Sequence, residues 1–317
     1  MKNQKIKTVA MLGLGTMGHG IAQVFAAAGY LVRGYDDIAG ARDSLRDRCR
    51  GNLKEMAAAG LVERKSIETV LSRMEVFGSV EESVEGAQFV IEAVKEDLRT
   101  KRALFLRLEK VVPPITILAS NTSTFPMTKI AARLKHPGRC VNMHWFNPSH
   151  LVPVVEVIPG LKTSPKTLAA TIALATSIGK IPISVRKEIP GFIVNRVQAA
   201  MVREVWDLWR RGIASAEEID LAVSGTLGFR LAAIGPLQVC DFGGLDVWSA
   251  VYEQLTPGLH SGHVLPQAIQ DLVQAGHLGV KSGKGIYSYT PKSIARKQSE
   301  RDRRFMELAK LLYKSTP

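Results

Sequence analysis

Cysteine is scarce in this chain: Cys49, Cys140 and Cys240 are the three in 317 residues. They lie far apart, are odd in number and show no C-x-x-C spacing. That pattern excludes a disulfide framework and a structural zinc site, so no metal is expected and a reducing, cytoplasmic setting fits best. Also missing is any apolar run long enough to span a bilayer. The polar stretch from Met1 to Thr8 has no apolar h-region and does not read as a secretory signal. Internal repeats and low-complexity tracts are absent too. Acidic residues are in deficit, 29 against 42 lysines and arginines, which leaves a net charge of +13. Such an excess attracts nucleic acids, anionic membranes and anionic metabolites alike. It peaks after Thr290, where Lys292, Arg296, Lys297, Arg301, Arg303, Arg304, Lys310 and Lys314 outnumber the acids. Phe305, Leu308, Ala309 and Leu312 interleave there at helical spacing, which predicts a terminal helix with a solvated basic face. Neither nucleic acid nor membrane is therefore an expected partner; a small-molecule substrate is.

What is present is an alternation. Hydrophobic residues at 46% and charged residues at 22% describe a globular chain able to bury a core without staples. Short apolar runs at Ile6 to Leu12, Leu31 to Tyr35, Phe89 to Val94, Thr116 to Ala119, Val141 to Met143, Val154 to Ile158 and Ile181 to Val185 predict strands. Between them, Thr16 to Ala28 and Leu98 to Val112 carry helical periodicity, the second ended by Pro113 and Pro114. Ser44 to Leu71 reads as two charged helical stretches around Gly60. Alternation of this kind predicts a doubly wound, mostly parallel sheet covered on both faces. The pattern changes at Ile189-Pro190-Gly191. Beyond it, Ile193, Val197, Met201, Val205 and Leu208 form one apolar helical stripe. The expectation is an α/β, Rossmann-type domain over residues 1–187 and an all-helical domain over 188–317.

The strongest local signal is Gly13-Leu14-Gly15-Thr16-Met17-Gly18, after a strand and before a helix. Gly13 permits the tight turn, Gly15 the approach of backbone to a pyrophosphate, and Gly18 close helix–strand packing. The N–H groups near Thr16 and Met17 and the helix dipole suit the phosphates. About 20 residues on, Asp36 ends the second strand, where a carboxylate can accept both ribose hydroxyls and repel a 2′-phosphate. NAD is thus favoured over NADP; a flavin dinucleotide shares the glycine pattern.

Oxidising an alcohol needs a base for the hydroxyl proton. Of seven histidines, His144 stands out because it ends a strand, the end at which ligands bind such sheets. Glu156 interrupts the apolar run Val154-Val155-Glu156-Val157-Ile158, and an unpaired buried carboxylate is costly, so it needs a partner. Bonded to the imidazole, it would fix the tautomer and stabilise the protonated ring.

Several motifs together resemble the L-3-hydroxyacyl-CoA dehydrogenase family over nearly the whole chain. Besides the glycine turn and Asp36 they are Glu92-Ala93-Val94-Lys95-Glu96, Ser120-Asn121-Thr122-Ser123, His144-Trp145-Phe146-Asn147-Pro148, Val155-Glu156-Val157-Ile158, Pro190-Gly191-Phe192-Ile193-Val194-Asn195-Arg196 and Gly279-Val280-Lys281-Ser282-Gly283-Lys284-Gly285. The resemblance implies His144 as acid and base with Glu156 as its partner. It implies Ser123 and Asn195 as the groups that hold the substrate oxygen and carbonyl. Glu96, Lys101, Asn147 and Lys281 would complete the nicotinamide and ribose contacts. It further implies an active site in the interdomain cleft and a homodimer made through the helical domain with Trp206, Trp209 and Trp248.

Two stretches depart from the acyl-CoA pattern: Ser149-His150-Leu151-Val152-Pro153-Val154, and the longer Gly228-Phe229-Arg230-Leu231-Ala232-Ala233-Ile234-Gly235-Pro236-Leu237. The second resembles the branch that holds L-gulonate (lambda-crystallin), carnitine and pyridoxine-catabolic carboxylate dehydrogenases. Arg230 is then a candidate to grip a substrate carboxylate with its planar fork, a surface arginine being the alternative. Against this stands the basic stretch Arg42, Arg46, Arg48, Arg50 and Lys54, where acyl-CoA members meet the CoA nucleotide. The acids Asp43, Asp47 and Glu55 intermix there, so an ordinary charged helix is the leading reading. The expected reaction is oxidation of the 3-hydroxyl of a small 3-hydroxy acid or its CoA thioester, with a slight lean to the free carboxylate; 3-hydroxybutyryl-CoA dehydrogenase proper and a non-catalytic, crystallin-like NAD binder are the alternatives.

Overall fold

A computed structural model describes residues 6–262 and 264–313. Met1 to Lys5 of the polar N-terminal stretch, and Lys314 of the basic tail, lie outside the described residues. The strands are β1 (Thr8–Leu12), β2 (Leu31–Tyr35), β3 (Met74–Val76), β4 (Phe89–Glu92), β5 (Ile117–Ser120), β6 (Cys140–Trp145), β7 (Val154–Pro159) and β8 (Ile181–Ser184). They form one sheet in the order β3-β2-β1-β4-β5-β6-β7-β8. Every pairing is parallel except β6 with β7. The short edge strand β3 was not expected; three residues, Met74-Glu75-Val76, are too few to show a period.

Strand residues point alternately to opposite faces, and here both faces are covered. Val9, Met11, Phe89 and Ile91 pack with Ile21 and Phe25 of the helix Gly18–Ala27 and with Leu174 and Ala175 of the helix Pro165–Ser177. Ala10, Leu12, Val90 and Leu118 pack on the other side with Phe105 and Leu108 of the helix Leu98–Val111 and with Met127 and Ile130. Two-sided burial explains why these strands read as continuous apolar runs. Asp97 caps the helix Leu98–Val111 by accepting from Thr100 N–H at 2.7 Å, and Ser164 caps Pro165–Ser177 through Thr167 N–H at 3.1 Å.

Contacts divide the chain into two compact units. One runs to Ile193 and takes in the stretch from Arg303; the other is Val194–Asp302. The second unit is built from helices, chiefly Val194–Arg210, Ala216–Ala222, Pro236–Gly243, Leu245–Leu255 and Gln267–Gln274. A π-helical segment, Val223–Gly228, joins Ala216–Ala222 to Phe229–Ala233. Among the described residues of this unit only Asp207 and Ile219 are buried. Phe229, Leu237 and Phe242 are each more than three-quarters exposed. The basic tail forms the helix Pro291–Leu312, with ion pairs such as Arg303 to Glu307 at 2.9 Å along it. No helix among the described residues is long and apolar enough to cross a membrane.

Candidate active site

The strand order reverses between β1 and β4, the point at which such sheets bind ligands, outside the carboxyl ends of the strands. The glycine turn follows β1 there. Gly13 has φ +89°, and a Cβ there would lie 2.7 Å from the Ala93 carbonyl group. A Cβ on Gly18 would run into the Gly13 carbonyl oxygen, so only glycine lets the helix start this close to the turn. Nothing lies within 4 Å of a Cβ built on Gly15, so the backbone there faces open space. The N–H groups of Gly15, Thr16 and Met17 have no hydrogen-bond partner among the described residues. Asp36 follows β2; its Oδ2 accepts from Leu14 N–H at 2.6 Å and its Oδ1 from Ile38 N–H at 2.8 Å. Backbone thus fixes the carboxylate at the mouth of the turn. Free donors, an open approach and a placed carboxylate fit a dinucleotide.

His144 lies on β6 directly opposite Glu156 on β7. Its Nδ1 is 2.8 Å from Glu156 Oε2, and the two residues are 2% and 0% exposed. Ile193 N–H donates to Glu156 Oε1 at 3.0 Å. An ionised glutamate only accepts, so Nδ1 carries the proton and the lone pair of a neutral ring sits on Nε2. Phe146 and Phe192 wall the imidazole with ring centroids at 4.6 and 5.5 Å.

Between crevice and histidine stands a buried charged network. Lys101, 1% exposed, donates to both Glu92 oxygens at 2.9 and 3.0 Å and lies 3.2 Å from Glu96 Oε2. Glu92 closes β4 and also accepts from Ser120 Oγ and, at 3.0 Å, from Val94 N–H. Glu96 Oε1 accepts from Thr122 Oγ1 at 2.6 Å, Ser123 N–H at 3.0 Å and Thr124 Oγ1 at 2.9 Å. Burial alone would raise the Glu96 carboxyl, but hydrogen bonds from Thr122 and Thr124 and the Lys101 ammonium outweigh it and hold the group below its ordinary range. Lys101 is therefore spent on two carboxylates, and its tie to the crevice runs through Glu96. The sequence assigns Glu92 no role of its own; its signal is an acid closing an apolar strand.

The loop after His144 is anchored as well. Asn147 is exposed beside a cis bond to Pro148. Ser149 Oγ donates to Met17 O at 3.0 Å, which ties the loop to the glycine turn. Lys180, almost fully buried, donates to Ser149 O at 2.9 Å and Val152 O at 2.5 Å, with its ammonium 5.3 Å from the Trp145 ring centre. Burial pushes it down to about 7. Asn195, on the helix Val194–Arg210, Arg230, on Phe229–Ala233, and Lys281, near the bridge Gly279 to Lys284, belong to the second unit.

A doubly wound sheet with a dinucleotide crevice and a histidine–glutamate pair at its strand ends defines an NAD-dependent dehydrogenase acting on a CH–OH group. Residues 8–189 match the 3-hydroxyacyl-CoA dehydrogenase NAD binding domain and residues 191–289 the C-terminal domain of the same enzymes. The chain belongs to the 3-hydroxyacyl-CoA dehydrogenase family. It is 35% identical to 5-formyl-3-hydroxy-2-methylpyridine 4-carboxylate 5-dehydrogenase of Mesorhizobium japonicum, over 97% of this chain and 98% of that one. A crystal structure of an enzyme of that name, described as an NAD+-dependent dismutase, aligns with a TM-score of 0.91 at 35% identity, covering 98% of this chain and 99% of the other. A crystal structure of (S)-3-hydroxybutyryl-CoA dehydrogenase from Ralstonia eutropha, also 35% identical, aligns with a TM-score of 0.73 over 90% of this chain and all of that one.

Proposed function

We propose that this enzyme oxidises the hydroxyl of a small hydroxy acid bearing a free carboxylate, with His144 as the base. The observation that carries the reading is the His144–Glu156 pair, buried on β6 and β7 of the sheet whose β1 leads into the glycine turn. NAD supplies the hydride acceptor when bound. Nε2 of His144 takes the hydroxyl proton, and Glu156 stabilises the imidazolium that results. Ser123 and Asn195 hold the substrate oxygen and carbonyl. Gly13, Gly15, Thr16, Met17, Gly18 and Asp36 take the pyrophosphate and ribose. Glu96, supported by Lys101, completes the nicotinamide side with Asn147 and Lys281. The reverse reaction uses the same groups with His144 as the acid.

Three observations favour a free acid over a CoA ester. The relative with the TM-score of 0.91 is named for a pyridine carboxylate, while at equal identity the CoA enzyme reaches 0.73. Most bases where a CoA nucleotide would dock are engaged within the chain: Arg42 donates to Asp36 O at 2.5 Å, Arg46 to Met74 O at 2.6 Å and Arg48 to Leu14 O at 2.7 Å, and Arg50 pairs with Asp47 and Glu68, which leaves Lys54 exposed. Arg230 uses only Nε, towards Thr226 O at 3.4 Å, which leaves both terminal nitrogens without a partner among the described residues. We assign it to the substrate carboxylate. Assays with NAD against 3-hydroxybutyryl-CoA, L-gulonate, L-carnitine and related 3-hydroxy acids test this. Turnover on free acids is expected; strong activity on the CoA ester alone overturns the substrate class.

The helical unit is also proposed to pair with a second copy. Apolar side chains as exposed as Phe229, Leu237 and Phe242, beside only two buried residues among those described, leave this unit without an adequate core of its own. Sedimentation should give a dimer; a monomer at micromolar concentration refutes it.

A further inference from the structure

Arg48 sits in the helix Leu45–Ala58, in a segment whose charge pattern reads as ordinary surface. Its guanidinium does not face solvent alone. Nη2 donates to Leu14 O at 2.7 Å and Nη1 to Gly15 O at 3.2 Å, both within the glycine turn. Ser44 Oγ and Ala41 O, at 3.1 and 2.8 Å, fix the fork from its own side. Gly15 O also accepts from His19, through Nδ1 at 2.8 Å and the backbone N–H at 3.3 Å.

A trans peptide is planar, with its C=O and N–H pointing in opposite directions. The carbonyl of Leu14 shares a peptide with the N–H of Gly15, and the carbonyl of Gly15 with the N–H of Thr16. Holding those two oxygens down on one guanidinium therefore turns the two N–H groups out, away from Arg48. These are the donors that have no partner among the described residues, next to the open space over Gly15. A charged donor on each carbonyl also polarises the peptide and strengthens the N–H on its far side.

We propose that Arg48 is a positioning residue for the cofactor: from beneath the turn it presets the Gly15 and Thr16 N–H groups for the NAD pyrophosphate. The inference rests on the glycine turn being the NAD site and is independent of which alcohol is oxidised. The alternative is a plain structural brace, and the two differ in which part of the cofactor they affect.

The test is calorimetric binding of NAD, ADP-ribose and adenosine to the wild type, Arg48→Met and Arg48→Lys, with the thermal midpoint of each. Losing two charged donors onto the turn should weaken NAD and ADP-ribose by about 10- to 100-fold. Adenosine, which has no phosphate, should bind nearly as before. Arg48→Lys keeps the charge but cannot span both carbonyls, and should fall in between. Unchanged NAD affinity in folded Arg48→Met overturns the proposal. So does an equal loss for adenosine and ADP-ribose, which marks a brace. Should Arg48→Met fail to fold, Arg48→Lys decides by the same comparison. Because the readout is binding, it stands whether or not His144 proves to be the base.

Discussion

His144 and Glu156 are direct neighbours across the one antiparallel pairing of the sheet, with Nδ1 2.8 Å from Oε2. Side chains opposite each other in such a pair lean the same way, so one reversal of strand direction brings the acid to the imidazole. His144→Ala should lower kcat by on the order of 10²- to 10⁴-fold. Glu156→Gln retains an acceptor but loses the charge that stabilises the imidazolium, and should lose a smaller share. Because the pair acts as a unit, the double variant should be little worse than His144→Ala. Steady-state rates on matched, folded variants check this; near-normal turnover in His144→Ala would end the mechanism.

Lys180 gives stability a pH dependence whose sign follows from its burial. Its ammonium titrates near 7 in the folded chain, below its ordinary value of 10.5. Between those values the unfolded chain holds the proton and the folded chain has lost it. Unfolding therefore takes up a proton, and stability rises with pH across that window, by at most about 1.4 kcal/mol per unit from this group. Going down through 7 that contribution is gone. Urea midpoints at several pH values from 7 to 9.5 should show a rise in the wild type that Lys180→Met lacks. Parallel curves for the two proteins would refute the assignment.

Much of this was legible in the sequence because it depends on fixed spacing. The glycine turn, Asp36 and the buried strands follow from local geometry, and His144 and Glu156 follow from strand ends and a misplaced acid. The Lys101–Glu92 pair was not legible, since lysine and glutamate are usually solvated and only the packing of Leu98–Val111 on the sheet encloses them. Arg48 lies among four other bases over a short stretch, and nothing in that pattern says which one turns inward to the loop. Strand β3 is too short to show a period, and the π-helical turn before Arg230 carries no composition that separates it from α-helix.

Asp36, proposed to hold the ribose, also serves the turn, because its Oδ2 holds the Leu14 N–H. Asp36→Ala should therefore weaken NAD binding on two counts, through lost ribose hydrogen bonds and a loosened turn. Removing the charge should at the same time relieve repulsion of a 2′-phosphate. The ratio of NAD to NADP affinity should shift towards NADP, read by fluorescence titration of the two reduced cofactors. Unaltered NAD affinity would remove Asp36 from the site.

The Lys101–Glu92 pair predicts a different kind of result, in which two changes are milder than one. With exposures of 1% and 0%, neither charge can turn to water when the other is lost. Lys101→Met leaves Glu92 buried without its cation and should cost about 3–5 kcal/mol. Adding Glu92→Gln removes the stranded charge while keeping an acceptor for Ser120 and Val94, so the double variant should recover much of that loss. NAD affinity should follow a separate course, because Lys101 also steadies Glu96, which holds the Ser123 N–H. Stability should return in the double variant while NAD affinity stays low. If both return together, Lys101 reaches the crevice by stability alone; if neither returns, the pair is not the coupled unit its distances describe.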